Sequence, residues 1–184
     1  MQRSEALRPG DDMISQMDAG RSIHERFELL LGQVLTACQR YYGDRLVAVA
    51  VFGSVGRGMP RPDSDIDLLI VADSLPNGRL PRIGEFRTVE AAVAAELAEA
   101  RKASLLTELS PVLKTPAEVL RGSPLLLDLV EDARLLYDRT GFLREALDQL
   151  KARMDRLGAR RVWRGNAWFW DLKPDYKPGE VFEL

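Results

Sequence analysis

Cysteine and histidine are nearly absent from this chain of 184 residues, which contains one of each, Cys38 and His24. A single cysteine cannot form an intramolecular disulfide, and a structural zinc site needs about four cysteine or histidine ligands. A serine–histidine or cysteine–histidine mechanism would have to use His24, which is far from any motif. The sequence therefore disfavours a disulfide-stabilised domain, a zinc centre and a histidine-dependent hydrolase.

Long apolar segments and a large excess of one charge are also missing. No stretch approaches the roughly 18 apolar residues of a membrane span, and residues 1–12 lack the apolar core of a signal peptide. The formal net charge of −2 argues against wholesale binding to nucleic acid. Hydrophobic residues make up 46% of the chain and charged residues 29%, which is typical of a globular protein. We expect one domain of ordinary size in the cytoplasm.

Strand and helix patterns alternate along the chain after residues 1–20, which show little periodicity and are interpreted as an N-terminal arm. Apolar residues at helical spacing predict a helix from the N-cap Ser22 to a stop at Gly43. The run LVAVAVF at 46–52 is apolar on both faces and predicts a central strand. Further strands are predicted at 65–71, 104–113 and 133–137, and further helices at 82–102, after Thr115-Pro116, after Ser123-Pro124 and at 141–157.

The first two predicted strands are joined by only about a dozen residues, GSVGRGMPRPDS. This connection is short for a parallel crossover, so an antiparallel pair is favoured. Pro111 ends the third strand or places it at an edge. We therefore expect an α+β (mixed α/β) fold with a mixed sheet and helices on one face. The domain would span 21–140, and residues 141–184 would form a C-terminal helix and an aromatic tail packed on it.

Two carboxylates stand at the start of the second predicted strand. Asp65 and Asp67 are two residues apart, so both side chains point to the same face of the strand. Like charges at this distance repel each other, and a cation between them would remove that cost. Carboxylate oxygens without histidine or cysteine favour Mg²⁺ or Mn²⁺ over zinc. Mg²⁺ leaves coordination positions open for substrate phosphates, as phosphoryl-transfer sites require.

A glycine–serine pair ends the first predicted strand, where antiparallel pairing would bring it close to the aspartates. Gly53 allows the backbone to approach a ligand closely. Ser54 can begin a short helix whose free N–H groups bind phosphate oxygens, although an ordinary helix N-cap is the alternative. Arg57 lies one turn further on and is either a phosphate ligand or a solvated helix charge.

The run at 52–71 reads F-G-S-x-x-R-G followed by S-D-I-D-L-L-I-V, and ten residues separate the Gly-Ser pair from the first aspartate. It resembles the signature of the DNA polymerase beta-like nucleotidyltransferase superfamily, and more closely that of its minimal nucleotidyltransferases. The resemblance implies that the Gly-Ser pair holds a triphosphate and that the two aspartates bind divalent metal. It also implies a third carboxylate from a later strand. We assign that role to Glu108, for which an exposed strand position is the alternative.

The resemblance implies metal-dependent transfer of a nucleotidyl group, most readily AMP from ATP, to an acceptor hydroxyl. Minimal nucleotidyltransferases often act as antitoxins that adenylylate a partner protein, so a protein acceptor or toxin partner is the first expectation. A small hydroxylated acceptor such as an aminoglycoside is the second. The competing class is a partner-binding antitoxin or regulatory module with weak or no catalysis.

The C-terminal segment combines basic and aromatic residues. Six lysines or arginines and one acid fall within 151–164, and all three tryptophans follow closely, at Trp163, Trp168 and Trp170. This pattern can bind single-stranded nucleic acid by stacking and charge, which would make the protein a nucleic-acid end-modifying enzyme. We favour the alternative that the tryptophans pack the tail against the domain or form a protein interface.

Overall fold

The computed structural model describes residues 21–165 and 167–182, and the predicted arm at 1–20 lies outside this part of the chain. The helices are α1 (Ile23–Tyr42), α2 (Gly53–Gly56), α3 (Arg79–Ala92), α4 (Ala94–Lys102), α5 (Pro116–Leu120), α6 (Pro124–Asp132) and α7 (Phe142–Leu157). The strands are β1 (Leu46–Phe52), β2 (Ile66–Ala72), β3 (Leu109–Lys114), β4 (Arg134–Asp138), β5 (Arg160–Arg164) and β6 (Ala167–Asp171). Within these ranges no helix combines the length and apolar character that a membrane crossing needs.

Capping chemistry fixes the ends of helix α1 where the sequence predicts them. The Ser22 hydroxyl accepts a hydrogen bond from the Glu25 N–H, and the Glu25 carboxylate accepts one from the Ser22 N–H. This reciprocal pair satisfies two N–H groups that lack partners within the helix. Gly43 ends the helix with a φ of 53°, which an L side chain rarely adopts.

Four strands form a mixed sheet in the order β3-β2-β1-β4. Strand β1 is antiparallel to both β2 and β4, which confirms the predicted pairing of the first two strands, and β2 is parallel to β3. Strand β3 is at the edge of the sheet, where Pro111 costs no ladder hydrogen bond to a further strand. The α+β fold with a mixed sheet flanked by helices is therefore as predicted.

Helices cover both faces of this sheet, so the expectation of helices on one face is wrong. Leu68 and Ile70 of β2 pack with α1, α3 and α4, whereas Leu69 and Val71 pack with α5, α6 and α7. All four side chains are fully buried, and each contributes roughly 1.5–3 kcal/mol relative to an exposed side chain. Apart from Asp67, the residues of the two central strands are apolar because both faces of these strands are covered.

The third strand and the helix predicted at 82–102 differ most from the prediction. The third strand begins at Leu109 rather than at 104, because Ser104 has a φ of 64° and the chain turns there before entering the sheet. The predicted helix 82–102 is two helices separated at Val93, which has a φ of −113° and ψ of 13°. Val93 is buried, so the break accompanies the packing of this side chain into the core.

The aromatic tail contains a two-stranded hairpin that the sequence analysis did not predict. Strands β5 and β6 are antiparallel, with Trp163 opposite Trp168. The dipeptide Gly165-Asn166 between two aromatic, alternating runs is a hairpin signal that could have revealed it. Trp170 and Leu172 pack against the core on the α6–α7 face of the sheet.

Candidate functional site

The strand ends that carry the sequence motif meet at one edge of the sheet. Phe52, the last residue of β1, pairs with Asp67 of β2. Asp67 also pairs with Ser110 of β3, and Arg134 at the start of β4 pairs with Val51. The antiparallel arrangement thus brings the Gly-Ser turn to the two aspartates, as the short connection between the strands predicts.

Gly53 lies directly against the carboxylate of Asp67. A Cβ added at Gly53 would lie 3.3 Å from the Asp67 Cγ and 3.6 Å from its Cβ, and it would overlap a carboxylate oxygen. The φ of Gly53 is 67°, a left-handed conformation that favours glycine. The glycine of the motif is therefore needed twice, for its backbone conformation and for the close approach to Asp67.

The two aspartates differ in their surroundings although they share a face of the sheet. Asp65 is exposed just before β2, whereas Asp67 is half-buried within the strand. Burial raises the pKa of the Asp67 carboxyl and the Asp65 charge raises it further, while a hydrogen bond from Ser110 and the Arg57 charge lower it. The ionised pair is thus held at a cost that a bound cation would offset.

Glu108 joins the site through its backbone rather than through its side chain. Its N–H donates to Asp65 Oδ1 at 3.3 Å, and its carbonyl accepts from the Ile66 N–H at 2.9 Å. The carboxylate is 79% exposed and lies 3.9 Å from the Arg101 guanidinium. Among the described residues no group of three or more acidic, histidine or cysteine side chains is close enough to hold a metal. The role of Glu108 as third ligand stays a prediction.

Helix α2 carries the remaining predicted residues of the site. Ser54 is half-buried in its first turn, and the Ser54 carbonyl accepts from the Met59 N–H at 3.0 Å. Arg57 follows the helix, but its guanidinium is bound to the carboxylate of Asp132 at 2.8 Å. A buried carboxylate therefore binds the guanidinium of the predicted phosphate ligand.

Asp132 is a residue of this region that the sequence analysis missed, because nothing in the run LLLDLVED distinguishes it from a helix-surface acid. It ends α6 and is buried. Its main chain also touches the Gly-Ser turn, since a Cβ added at Gly56 would lie 2.7 Å from the Asp132 carbonyl oxygen. The end of α6 is thus packed against α2.

Comparisons with known proteins agree with this arrangement. Residues 31–136, more than half of the chain, match the family model described as a nucleotidyltransferase domain. A protein of Methanocaldococcus jannaschii, named provisionally as a protein adenylyltransferase, is 28% identical over 130 residues, which cover 70% of this chain and 83% of that protein.

Two solved structures are similar to this chain at low identity. A toxin–antitoxin structure solved with AMP-PNP has a TM-score of 0.42 at 15% identity, covering 70% of this chain and 92% of that one. The spectinomycin adenyltransferase AAD(9) from Enterococcus faecialis, solved with ATP and spectinomycin, has a TM-score of 0.47 at 14% identity, covering 71% and 66% respectively. On the match of residues 31–136, this chain belongs to the nucleotidyltransferase domain family and is a nucleotidyltransferase.

Proposed function

We propose that this protein transfers AMP from ATP to a hydroxyl group of a protein acceptor, with a divalent cation at the sheet edge. The observation that carries the proposal is the contact of Gly53 with Asp67, which brings the Gly-Ser turn beside two carboxylates. The name of the archaeal relative supports both the adenylyl group and the protein acceptor. The catalytic domain would span 21–140, with 141–184 packed on it as an extension.

The carboxylates of this edge suit Mg²⁺ or Mn²⁺, because they are hard oxygen ligands. Asp65 and Asp67 would hold the cation, and Glu108 would supply the third carboxylate. A bound cation would neutralise charge on the triphosphate and on the departing pyrophosphate. The raised pKa of Asp67 means that protons compete with the cation for this carboxylate as the pH falls.

The chain itself would orient the triphosphate and the acceptor. The close-lying backbone of Gly53, the Ser54 hydroxyl and the Arg57 guanidinium would contact the phosphate oxygens. The acceptor oxygen forms a bond to the α-phosphorus while the bond from that phosphorus to the bridging oxygen of pyrophosphate breaks. A carboxylate of the site accepts the hydroxyl proton, as in general base catalysis.

Transfer of label from α-labelled ATP to protein tests the proposal. The wild type, incubated with Mg²⁺ or Mn²⁺ and lysate of its source cells, should label a protein acceptor covalently. Asp65→Asn and Asp67→Asn should each reduce this labelling at least about a hundredfold, because each removes a proposed metal ligand. Asp73→Asn is the matched control, since Asp73 is exposed beyond the opposite end of β2. This variant should label the protein acceptor as strongly as the wild type does.

Other outcomes would assign the protein to a different class. Protein binding without label transfer from the wild type with either cation would indicate a partner-binding module and contradict the proposal. Label found on oligonucleotides instead of protein would indicate nucleic-acid end modification. Label on a small hydroxylated compound alone would keep the nucleotidyl transfer and refute the protein acceptor.

A further inference from the structure

The strand register of the C-terminal hairpin puts four large side chains on one of its faces. Arg161 pairs with Trp170, and Trp163 pairs with Trp168. Alternate residues of a strand point to the same side, so these four share a face. The Arg161 guanidinium lies 4.9 Å from the ring centre of Trp168 and 5.2 Å from that of Trp170. The aromatic rings thus hold the guanidinium in a defined position.

Two aspartates one turn apart on α6 fasten this face to the domain. Asp128 Oδ1 accepts from the indole N–H groups of Trp168 at 3.0 Å and Trp170 at 2.9 Å. Arg161 donates to Asp132 Oδ1 at 3.0 Å. The hairpin is therefore attached at the end of α6 that packs against the Gly-Ser turn.

Asp132 is shared between two arginines, one from the hairpin and one from the candidate site. Arg57 donates to its Oδ2 at 2.8 Å, and Arg161 donates to its Oδ1. The Asp132 side chain is only 6% exposed, against 30% for Arg57 and 15% for Arg161. A carboxylate this buried is strongly destabilised when it loses its only cationic partner. With two partners, Asp132 stays paired if one of them leaves.

Arg57 is the more exposed partner and is connected to the candidate site. Its N–H donates to the Gly53 carbonyl at 3.1 Å, so it belongs to the turn that carries the Gly-Ser pair. Its guanidinium lies 5.8 Å from the ring centre of Trp168. Arg57 therefore belongs to the turn of the candidate site while its guanidinium is bound to Asp132.

We propose that Arg161 is a positioning residue for Arg57 that acts through Asp132, whose carboxylate competes with the nucleotide for the Arg57 guanidinium. Arg161 keeps the buried Asp132 carboxylate paired, so that Arg57 can exchange that carboxylate for the phosphate oxygens of the nucleoside triphosphate. The proposal rests on the proposed function, in which Arg57 contacts the triphosphate. The proposal gives the C-terminal hairpin a role in nucleotide binding. If the tail only packed against the domain, the hairpin would have no such role.

The two roles predict different results when the charges are removed in combination. If the ion pairs only fasten the hairpin, loss of Arg161 and loss of Asp132 should have effects on stability and little effect on nucleotide affinity. If Asp132 competes with phosphate for Arg57, loss of Arg161 should leave Arg57 as the remaining ionic partner of Asp132 in the described part of the chain. Arg57 should then stay bound to this buried carboxylate. Removing the carboxylate charge as well should release Arg57.

The measurement is the dissociation constant of α,β-methylene-ATP, which cannot undergo transfer, by titration calorimetry of the full chain with Mg²⁺. Arg161→Met should weaken binding about tenfold, the effect of a lost charge-assisted hydrogen bond. Asp132→Asn alone should bind at least as tightly as the wild type, and the double variant should regain the affinity of Asp132→Asn. Arg160→Met is the matched control, because Arg160 is on the opposite face of the same strand and pairs with Asp171 at 3.3 Å.

The proposal would be overturned if the folded double variant bound the nucleotide as weakly as Arg161→Met does. It would also be overturned if folded Asp132→Asn lost nucleotide affinity tenfold. If Arg161→Met does not fold, Arg161→Gln, which keeps a hydrogen-bond donor but loses the charge, takes its place: binding about tenfold weaker is expected, and unchanged affinity would refute the proposal. Unchanged affinity in folded Arg161→Met would refute this inference and leave the proposed function intact. A wild type that binds no nucleotide would refute both.

Discussion

Gly53 and Asp67 show how single residues set the chemistry of this site. The glycine permits a left-handed backbone and a close approach, and the carboxylate it meets is half-buried beside a second one. Their effect depends on the contact that the pairing of β1 with β2 creates.

Gly53→Ala should abolish nucleotidyl transfer, because the methyl group overlaps the Asp67 carboxylate and displaces it. We expect a loss of activity of at least about a hundredfold, measured as label transfer from α-labelled ATP. Gly141→Ala is the matched control. Gly141 has a similar φ of 74° but nothing within 4 Å of an added Cβ. It should cost about 1–2 kcal/mol of stability and leave the activity unchanged. Equal activity loss in both variants would show that backbone strain alone, without the overlap, is responsible.

Asp67→Asn should stabilise the cation-free protein at neutral pH, because the folded state holds this carboxylate at a raised pKa. The folded protein binds the Asp67 proton more tightly than the unfolded chain does. The contribution of Asp67 to the free energy of unfolding therefore falls as the pH rises from the ordinary pKa of aspartate to the raised pKa of the folded state. Thermal unfolding in EDTA between pH 4 and 8 should show a difference between variant and wild type that grows with pH. Added Mg²⁺ should raise the melting temperature of the wild type only; a variant less stable than the wild type in EDTA would contradict this account.

At the scale of the elements, the ion pair between Arg82 and Glu118 connects helix α3 with α5 and with the end of β3. Arg82 of α3 donates to both oxygens of Glu118 at 2.7 and 3.0 Å, and to the Leu113 carbonyl at 3.1 Å. Glu118 also accepts from the Thr115 N–H in the capping box of α5. One carboxylate thus caps a helix and fixes a neighbouring one.

Glu118→Gln should lower the free energy of unfolding by about 2 kcal/mol at neutral pH. The Arg82 guanidinium lowers the pKa of Glu118 to about 2, with a further contribution from the Thr115 N–H. A lowered pKa gives stability that is present above pH 4.5, the ordinary value, and is lost as the pH falls towards 2. Denaturant unfolding at pH 7 and pH 3 should therefore show a smaller deficit for the variant at pH 3.

The control for this pair is Glu99→Gln, which removes an exposed ion pair with Lys102. Exposed pairs contribute about 0–1 kcal/mol, so this variant should unfold almost as the wild type does at both pH values. If the loss in free energy of unfolding caused by Glu118→Gln were the same at pH 7 and pH 3, the charged pair would be ruled out as its cause.

For the whole molecule, both faces of the sheet are covered, so neighbouring residues of β2 should contribute similarly to the free energy of unfolding. Leu69→Ala opens a cavity on the α5–α7 face and Ile70→Ala opens one on the α1 face, and both residues are fully buried. Each should cost about 2–5 kcal/mol in chemical denaturation. Leu80→Ala should change stability little, because Leu80 is 83% exposed. If one of the two core variants behaved like Leu80→Ala, that face of the sheet would not be covered in solution.

The sequence determined the local elements where periodicity and caps agreed. The bounds of β1, the start of α1 at Ser22 and the start of α5 after Thr115 follow directly from it. It also determined the pairing of the first two strands, because a short connection between them leaves little room for a crossover. The Gly-Ser and Asp-x-Asp motif indicated the family that the match of 31–136 then showed. These features depend on residues close together in the chain.

Only the tertiary structure decided which distant residues share the site edge. The helices on both faces and the break at Val93 were not predicted, since each depends on packing between elements far apart in sequence. The hairpin after α7 was also not predicted, although its Gly165-Asn166 signal is local. The same dependence on distant packing holds for Asp132, which pairs with Arg57 across 75 positions, and for the exposed side chain of Glu108. A carboxylate in a helix has no distinguishing sequence pattern, and its burial and its ionic partners exist only once the chain has folded.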